Sequence, residues 1–124
     1  MPGEVKRATR VGERLREELA SLVAHELGDP RVQGVIVARV KLSDDLRHAR
    51  VYFRMLEGGD DAERVKAAKL GLERASGVLR REVTDRAGLR YAPELKFHYD
   101  EGQEAGDRIE ALLEEVRQEQ RGKR

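Results

Sequence analysis

The feature that most constrains this fold is a helical stretch broken at Arg74-Ala75-Ser76-Gly77-Val78-Leu79-Arg80-Arg81. A Gly inside a helix costs about 1 kcal/mol relative to Ala, and Ser prefers to cap a helix start. Yet the apolar spacing runs straight through the break, with Val65, Ala68, Leu72 and Ala75 before it and Leu79 and Val83 after it. Both halves therefore face one core, and the joint is a kink with arginines directly behind it. A turn from one helix into the start of the next offers backbone N–H groups and a partial positive charge to anions. Phosphate is the expected ligand there.

The elements around this joint follow from periodicity. Val11, Leu15, Leu19, Leu22 and Val23 form one stripe of a helix expected over 9–27, ended by Gly28-Asp29-Pro30. Lys6, Arg7, Arg10 and Arg14 fall at or before its first turns, the wrong end for the helix dipole. Two strands are expected over 35–42 and 48–55. In the first, Ile36, Ala38, Val40 and Leu42 share the apolar face; in the second, Ala49, Val51, Phe53 and Met55 do. Ser43-Asp44-Asp45-Leu46-Arg47 joins them as a hairpin. Asp60 with Glu63 resembles a capping box for a helix over 62–75. After the kink a shorter helix runs to Ala87, with Gly88 as its C-cap. A third strand sets Leu95, Phe97 and Tyr99 against Lys96 and His98. A last helix is expected over 105–120, with Ile109, Leu112, Leu113 and Val116 on one side. Helices must cover the apolar face of the strands, leaving the other face wet and basic. The fold class is α+β, a two-layer sandwich. Residues 5–100 form the expected domain, and 101–124 the C-terminal helix and basic tail.

The 124 residues suffice for one core but not for two. No run of roughly 18 apolar residues spans a membrane, and Met1-Pro2-Gly3-Glu4 leads into charged residues rather than a signal peptide. The lack of Cys excludes disulfides and thiol chemistry and fits a cytoplasmic protein. A net charge of +1 hides a division. Residues 62–92 hold eight basic and four acidic side chains, whereas 93–124 hold six basic and nine acidic. Residues 39–54 hold five basic and two acidic. A cationic middle beside an anionic end indicates a local polyanion site.

Catalytic constellations do not emerge. His25, His48 and His98 lie on three different elements without ligand spacing, so no metal is expected. No phosphate loop, nucleophile elbow or dinucleotide fingerprint occurs, and no cofactor is expected. The chain is expected to bind rather than catalyse. Because Phe53, Phe97 and Tyr99 fall on the apolar face, only Tyr52 and Tyr91 are available for bases. Backbone and shape recognition by Arg and Lys should therefore dominate over base stacking. The best cluster is Lys66, Lys69, Arg74, Arg80, Arg81, Arg86 and Arg90.

Helix–strand–strand–helix–helix–strand is the order of the type II KH domain, an RNA-binding fold with a Gly-x-x-Gly loop between its paired helices. Here Ala75-Ser76-Gly77 stands in that place. With Asp29-Pro30-Arg31, Leu42-Ser43-Asp44-Asp45-Leu46, Ala49-Arg50-Val51-Tyr52, Leu89-Arg90, Pro93-Glu94-Leu95-Lys96-Phe97 and Tyr99-Asp100, the chain resembles the bacterial ribosome-binding factor A family from about Arg7 to Leu113. The resemblance implies a cytoplasmic, monomeric, non-enzymatic assembly factor. It would bind the immature small (30S) ribosomal subunit and 16S rRNA, serve late rRNA processing and growth after cold shock, and be released by a ribosome-dependent GTPase. It implies that Ala75, Ser76 and Gly77 form the interhelical kink, and that Arg80 and Arg90 contact RNA. Charge extends that set to Arg7, Arg10, Arg81 and the remaining basic residues of the cluster. The alternative is a protein-interaction module whose acidic last helix docks a partner. Against it, the stripe of that helix is expected to pack on the domain's own core.

Overall fold

A computed structural model of the chain describes residues 2–100, 113 and 115–121, with side chains from Arg7 onward. The elements are α1 (Pro2–His25), a 3₁₀ turn (Pro30–Val32), β1 (Val35–Leu42), β2 (His48–Met55), α2 (Ala62–Arg74), α3 (Ser76–Ala87) and β3 (Glu94–Tyr99). The strands lie in the order β1-β2-β3, β1 antiparallel and β3 parallel to β2. The helices cover one face. Leu15, Leu19 and Leu22 of α1, Ala68 and Leu72 of α2, and Leu79 and Val83 of α3 share a core with Val51, Phe53, Leu95 and Phe97. Lys41, Arg50 and Lys96 stand exposed on the other face. The two-layer α+β arrangement and its element order are those expected.

Four local expectations need correction. First, α1 begins at Pro2, so Arg7 and Arg10 sit beyond its first turn. It also ends at His25, short of Leu27. Gly28 is not among the positive-φ residues, and Asp29 instead caps the 3₁₀ turn by accepting from the Arg31 N–H at 2.9 Å. Second, Val37 pairs with Phe53 and Arg39 with Tyr52, leaving Ala38 as a bulge. One extra residue reverses the alternation. Val35 and Val37 point inward before the bulge, and Ile36 is 45% exposed rather than on the apolar face. Third, the cap of α2 is Asp61, which accepts from the N–H groups of Glu63 and Arg64. Asp60 lies one residue too early. Fourth, the break between α2 and α3 is Ala75 alone, at φ −82° and ψ −3°. Ser76 and Gly77 already belong to α3, and no side chain caps that helix. Ala105, Ile109 and Leu112 of the last expected helix lie outside the described residues. Residues 115–121 are helical, and Leu113 and Val116 are about half exposed rather than packed in the core.

Asp29 stiffens the 3₁₀ turn that packs on α2. Its carboxylate accepts from the Arg31 side chain (2.6 Å at the closest) and backbone N–H, while Arg74 adds a favourable field. These hydrogen bonds hold its pKa down at about 2. The depressed value means that Asp29 stabilises the fold fully above its unfolded pKa, ~3.9. That stability disappears as pH falls through about 2. Asp29→Asn should therefore lower the melting temperature at pH 7, and the gap to wild type should close between about pH 4 and 2. Thermal unfolding followed by circular dichroism at both ends of that window checks it.

Candidate nucleic-acid interface

The basic residues singled out from the sequence divide into two groups. Arg80 and Arg86 are committed to the fold. The Arg80 Nε donates to the Pro93 carbonyl at 2.9 Å and its Nη2 to the Ala92 carbonyl at 3.2 Å, pinning the α3–β3 connection. Arg86 meets Glu26 at 2.7 Å, Glu18 at 3.6 Å and Glu82 at 3.9 Å, and its hydrogen bonding to Glu26 raises its pKa. Three carboxylates around one guanidinium tie α1 to α3 and leave little net charge for phosphate. The periodicity of α3 marks Arg80 and Arg86 as polar positions but cannot reveal these partners, because most of them come from other elements.

Arg7, Arg10, Lys66, Lys69, Arg74, Arg81 and Arg90 are exposed and form no ion pair among the described residues. Of these, Lys69 lines one concavity and Arg7 and Arg90 line another, while Arg10, Lys66, Arg74 and Arg81 line neither. A groove of about 420 Å³ runs between the α2–α3 joint and the outer edge of β3, lined by Lys69, Glu73, Ser76, Lys96 and His98 among others. Ser76, at the start of α3, and Lys69 thus do converge. Lys96 and His98 join them because β3, at the edge of the sheet, presents one side to the joint. A Cβ built at Gly77 meets nothing within 4 Å, so packing does not demand glycine there. Gly77→Ala should raise fold stability by roughly 0.5–1 kcal/mol, read by urea unfolding. If the first turn of α3 lies against a phosphate backbone, the same variant should lose affinity for its nucleic acid; unchanged affinity would place the backbone elsewhere.

The second concavity, about 440 Å³, opens at the end of the sheet where β3 begins. Arg7 from α1, Asp44 to Arg47 from the β1–β2 turn, and Gly88 to Tyr91 after α3 line it. The local sequence makes these walls stiff. Asp45 accepts from Ser43 Oγ at 2.6 Å and from the Arg47 N–H at 3.0 Å, which lowers its pKa. Leu46 adopts φ +63° to close the turn. Gly88 caps α3 at φ +66°, and the Leu89 N–H reaches the Thr84 carbonyl at 2.9 Å. The Glu94 N–H donates to the Arg47 carbonyl at 2.8 Å, joining turn and connection. Arg7 and Arg90, expected as binding residues from charge and the family resemblance, meet here. Sequence reasoning misses Arg47, because it sits in a hairpin turn and nothing in its spacing relates it to Arg90. Tyr91, one of the two rings available for bases, is 59% exposed in the same place.

The uncovered sheet face carries a third feature. The Arg39 guanidinium lies 4.2 Å from the centroid of the Tyr52 ring, and the Tyr52 and His98 rings are 5.5 Å apart. The bulge at Ala38 puts Arg39 opposite Tyr52 and so creates this row. Arg39 also reaches Asp100 at 4.0 Å. Among the described residues, no three His, Cys, Asp or Glu side chains converge as metal ligands, and no helix is long and apolar enough to cross a membrane. Backbone N–H groups, free cations and a rigid sheet edge are what an extended polyanion needs.

Known proteins with this arrangement point one way. A sequence model of the ribosome-binding factor A family matches residues 7–113. The protein of that name from Sorangium cellulosum is 52% identical over all of this chain and 99% of its own length. The one from Syntrophobacter fumaroxidans is 43% identical over 91% of this chain and 96% of its own. The crystal structure of ribosome-binding factor A from Thermus thermophilus superposes with a TM-score of 0.63, at 27% identity, over 74% of this chain and 94% of that one. A Thermus thermophilus homology model fitted into a cryo-EM map of a 30S complex with that factor gives 0.58, at 28% identity, over 73% and 92%. Matches that run nearly end to end, together with the shared helix–strand–strand–helix–helix–strand fold, establish that the chain belongs to the ribosome-binding factor A family.

Proposed function

We propose that this chain is a small-subunit assembly factor that binds the immature small ribosomal subunit through 16S rRNA and carries out no chemical step. The observation that supports it most is the fold it shares with the relative fitted into 30S density. Arg7, Arg10, Lys66, Lys69, Arg74, Arg81 and Arg90 supply phosphate contacts, and Arg47 and Lys96 extend them. Arg80 and Arg86 act indirectly by holding the surfaces on which those side chains stand. Ala75, Ser76 and Gly77 let the RNA backbone approach the joint. The protein favours one arrangement of the RNA by binding it better than the alternatives. It acts in the cytoplasm as a monomer during late rRNA processing and cold adaptation, and a ribosome-dependent GTPase releases it.

Sedimentation with immature small subunits, mature small subunits and whole ribosomes across a salt series tests this directly. Co-migration with small subunits, strongest for immature ones and falling steeply with salt, is the expected result. Equal binding to every particle would reduce the protein to a general RNA binder, and no co-migration at low salt would overturn the proposal. The half-exposed Leu113 and Val116 favour a second contact, with a protein, through the last helix. Truncation after Asp100 should then remove a protein partner while sparing RNA affinity.

A further inference from the structure

Tyr91 has no task within the fold. Its ring is 59% exposed, and its hydroxyl has no hydrogen-bond partner among the described residues. Its backbone is nonetheless fixed on both sides, by the Gly88 cap before it and by the Arg80 hydrogen bonds to the Ala92 and Pro93 carbonyls after it. Two guanidinium groups attend the ring, Arg47 at 5.3 Å and Arg90 at 5.6 Å from its centroid. A rigid exposed ring flanked by cations suits a stacked base with phosphates at its sides.

The acidic side chains of the concavity decide which part of RNA enters. Asp44 and Asp45 line the opening, and the Asp45 carboxylate is occupied by the turn, while Asp44 is exposed and unpaired among the described residues. A duplex backbone pressed across this opening would bring phosphates against both carboxylates. A single unstacked nucleotide avoids that conflict, placing phosphate on the arginine side and the base edge toward Asp44. An ionised carboxylate only accepts hydrogen bonds; the exocyclic amino group of adenine, guanine or cytosine offers it a donor, whereas the N3–H of uracil lies between two carbonyl oxygens that repel a carboxylate. The opening of about 440 Å³ is of the size that holds a small ligand.

Building on the assembly-factor proposal, we infer that Tyr91, Arg47, Arg90 and Asp44 form a subsite for one unpaired, amino-bearing nucleotide of the bound RNA. Tyr91→Phe keeps the ring face, and Tyr91→Leu keeps apolar bulk without it; neither disturbs the core, because the side chain is exposed. Full-length wild type and both variants would be titrated against immature small subunits and against oligoadenylate, oligocytidylate and oligouridylate. Tyr91→Phe should stay within about twofold of wild type on subunits, and Tyr91→Leu should bind about tenfold more weakly. On oligomers, wild type should favour oligoadenylate and oligocytidylate over oligouridylate, and Tyr91→Leu and Asp44→Ala should each erase that preference. Equal subunit affinity of Tyr91→Leu and wild type would overturn the subsite while leaving the assembly-factor proposal standing. So would a wild type that shows no preference among the oligomers. Failure of wild type to bind subunits at all would instead remove the proposal on which the subsite rests.

Discussion

An Arg7, Arg47, Arg90→Ala triple variant will bind immature small subunits more weakly by two to three orders of magnitude. The three guanidinium groups come from three separate parts of the chain and line one concavity. Arg7 and Arg90 form no ion pair among the described residues, and Arg47 lies beside the Tyr91 ring. Each is therefore able to give a phosphate its charge without first breaking an internal pair. A hydrogen bond to a charged group contributes about 1.5 kcal/mol at the lower end. Three such losses come to about 3–4 kcal/mol once incomplete additivity is allowed for. The salt series carries the sharper test. Each neutralised phosphate contributes ~0.7 to the slope of log affinity against log salt for single strands and ~0.9 for duplex. The slope should thus become shallower by about 2 to 3. A triple variant with wild-type affinity and slope would move the RNA interface away from this end of the sheet. Circular dichroism should show an unchanged fold, because all three side chains are exposed.

Arg80→Ala should behave in the opposite way, losing stability of about 2–3 kcal/mol before any effect on binding is felt. Its guanidinium is the donor for the carbonyls of Ala92 and Pro93, and Pro93 is among the most buried side chains of the molecule. Truncation leaves the part-buried Pro93 carbonyl short of a partner, which costs more than the mean value of a hydrogen bond, while the exposed Ala92 carbonyl turns to water. Urea denaturation measures the loss. Arg80→Lys should recover only part of it, because one ammonium cannot reproduce the two-pronged planar donor. If Arg80→Ala were as stable as wild type yet bound subunits weakly, Arg80 would be a direct RNA contact. A variant that is less stable but binds normally at low temperature would make it a fastening for the Tyr91 connection.

The contrast between Arg80 and Arg90 shows where sequence reasoning reaches its limit. Both are arginines near the α3–β3 connection, both match the family pattern, and composition treats them alike. One is turned into the fold by two carbonyls, and the other stands in solvent beside Tyr91. Charge alone places Arg86 in the same cluster of cations, yet Glu18 of α1, Glu26 just past its end and Glu82 of α3 neutralise it. Such pairings depend on which elements become neighbours, which charge sums along the chain do not record. The strand alternation of β1 fails for a related reason. A bulge at Ala38 is set by pairing with β2, so Ile36 lies on the exposed face while Val35 and Val37 turn inward.

By itself the sequence determined the element order, the core stripes of α1, α2 and α3, the apolar set of β2 and β3, and the family. These are carried by local periodicity, by Gly and Pro punctuation and by short motifs, all of which act over a few residues. It also determined that the middle of the chain is cationic. The tertiary structure alone decided which cations remain available, that Ala75 is the whole of the joint, and that Arg7, Arg47, Arg90 and Tyr91 share one opening. The physical reason is distance along the chain. A binding surface assembled from α1, a hairpin turn and the approach to β3 exists only after long-range packing has brought those segments together.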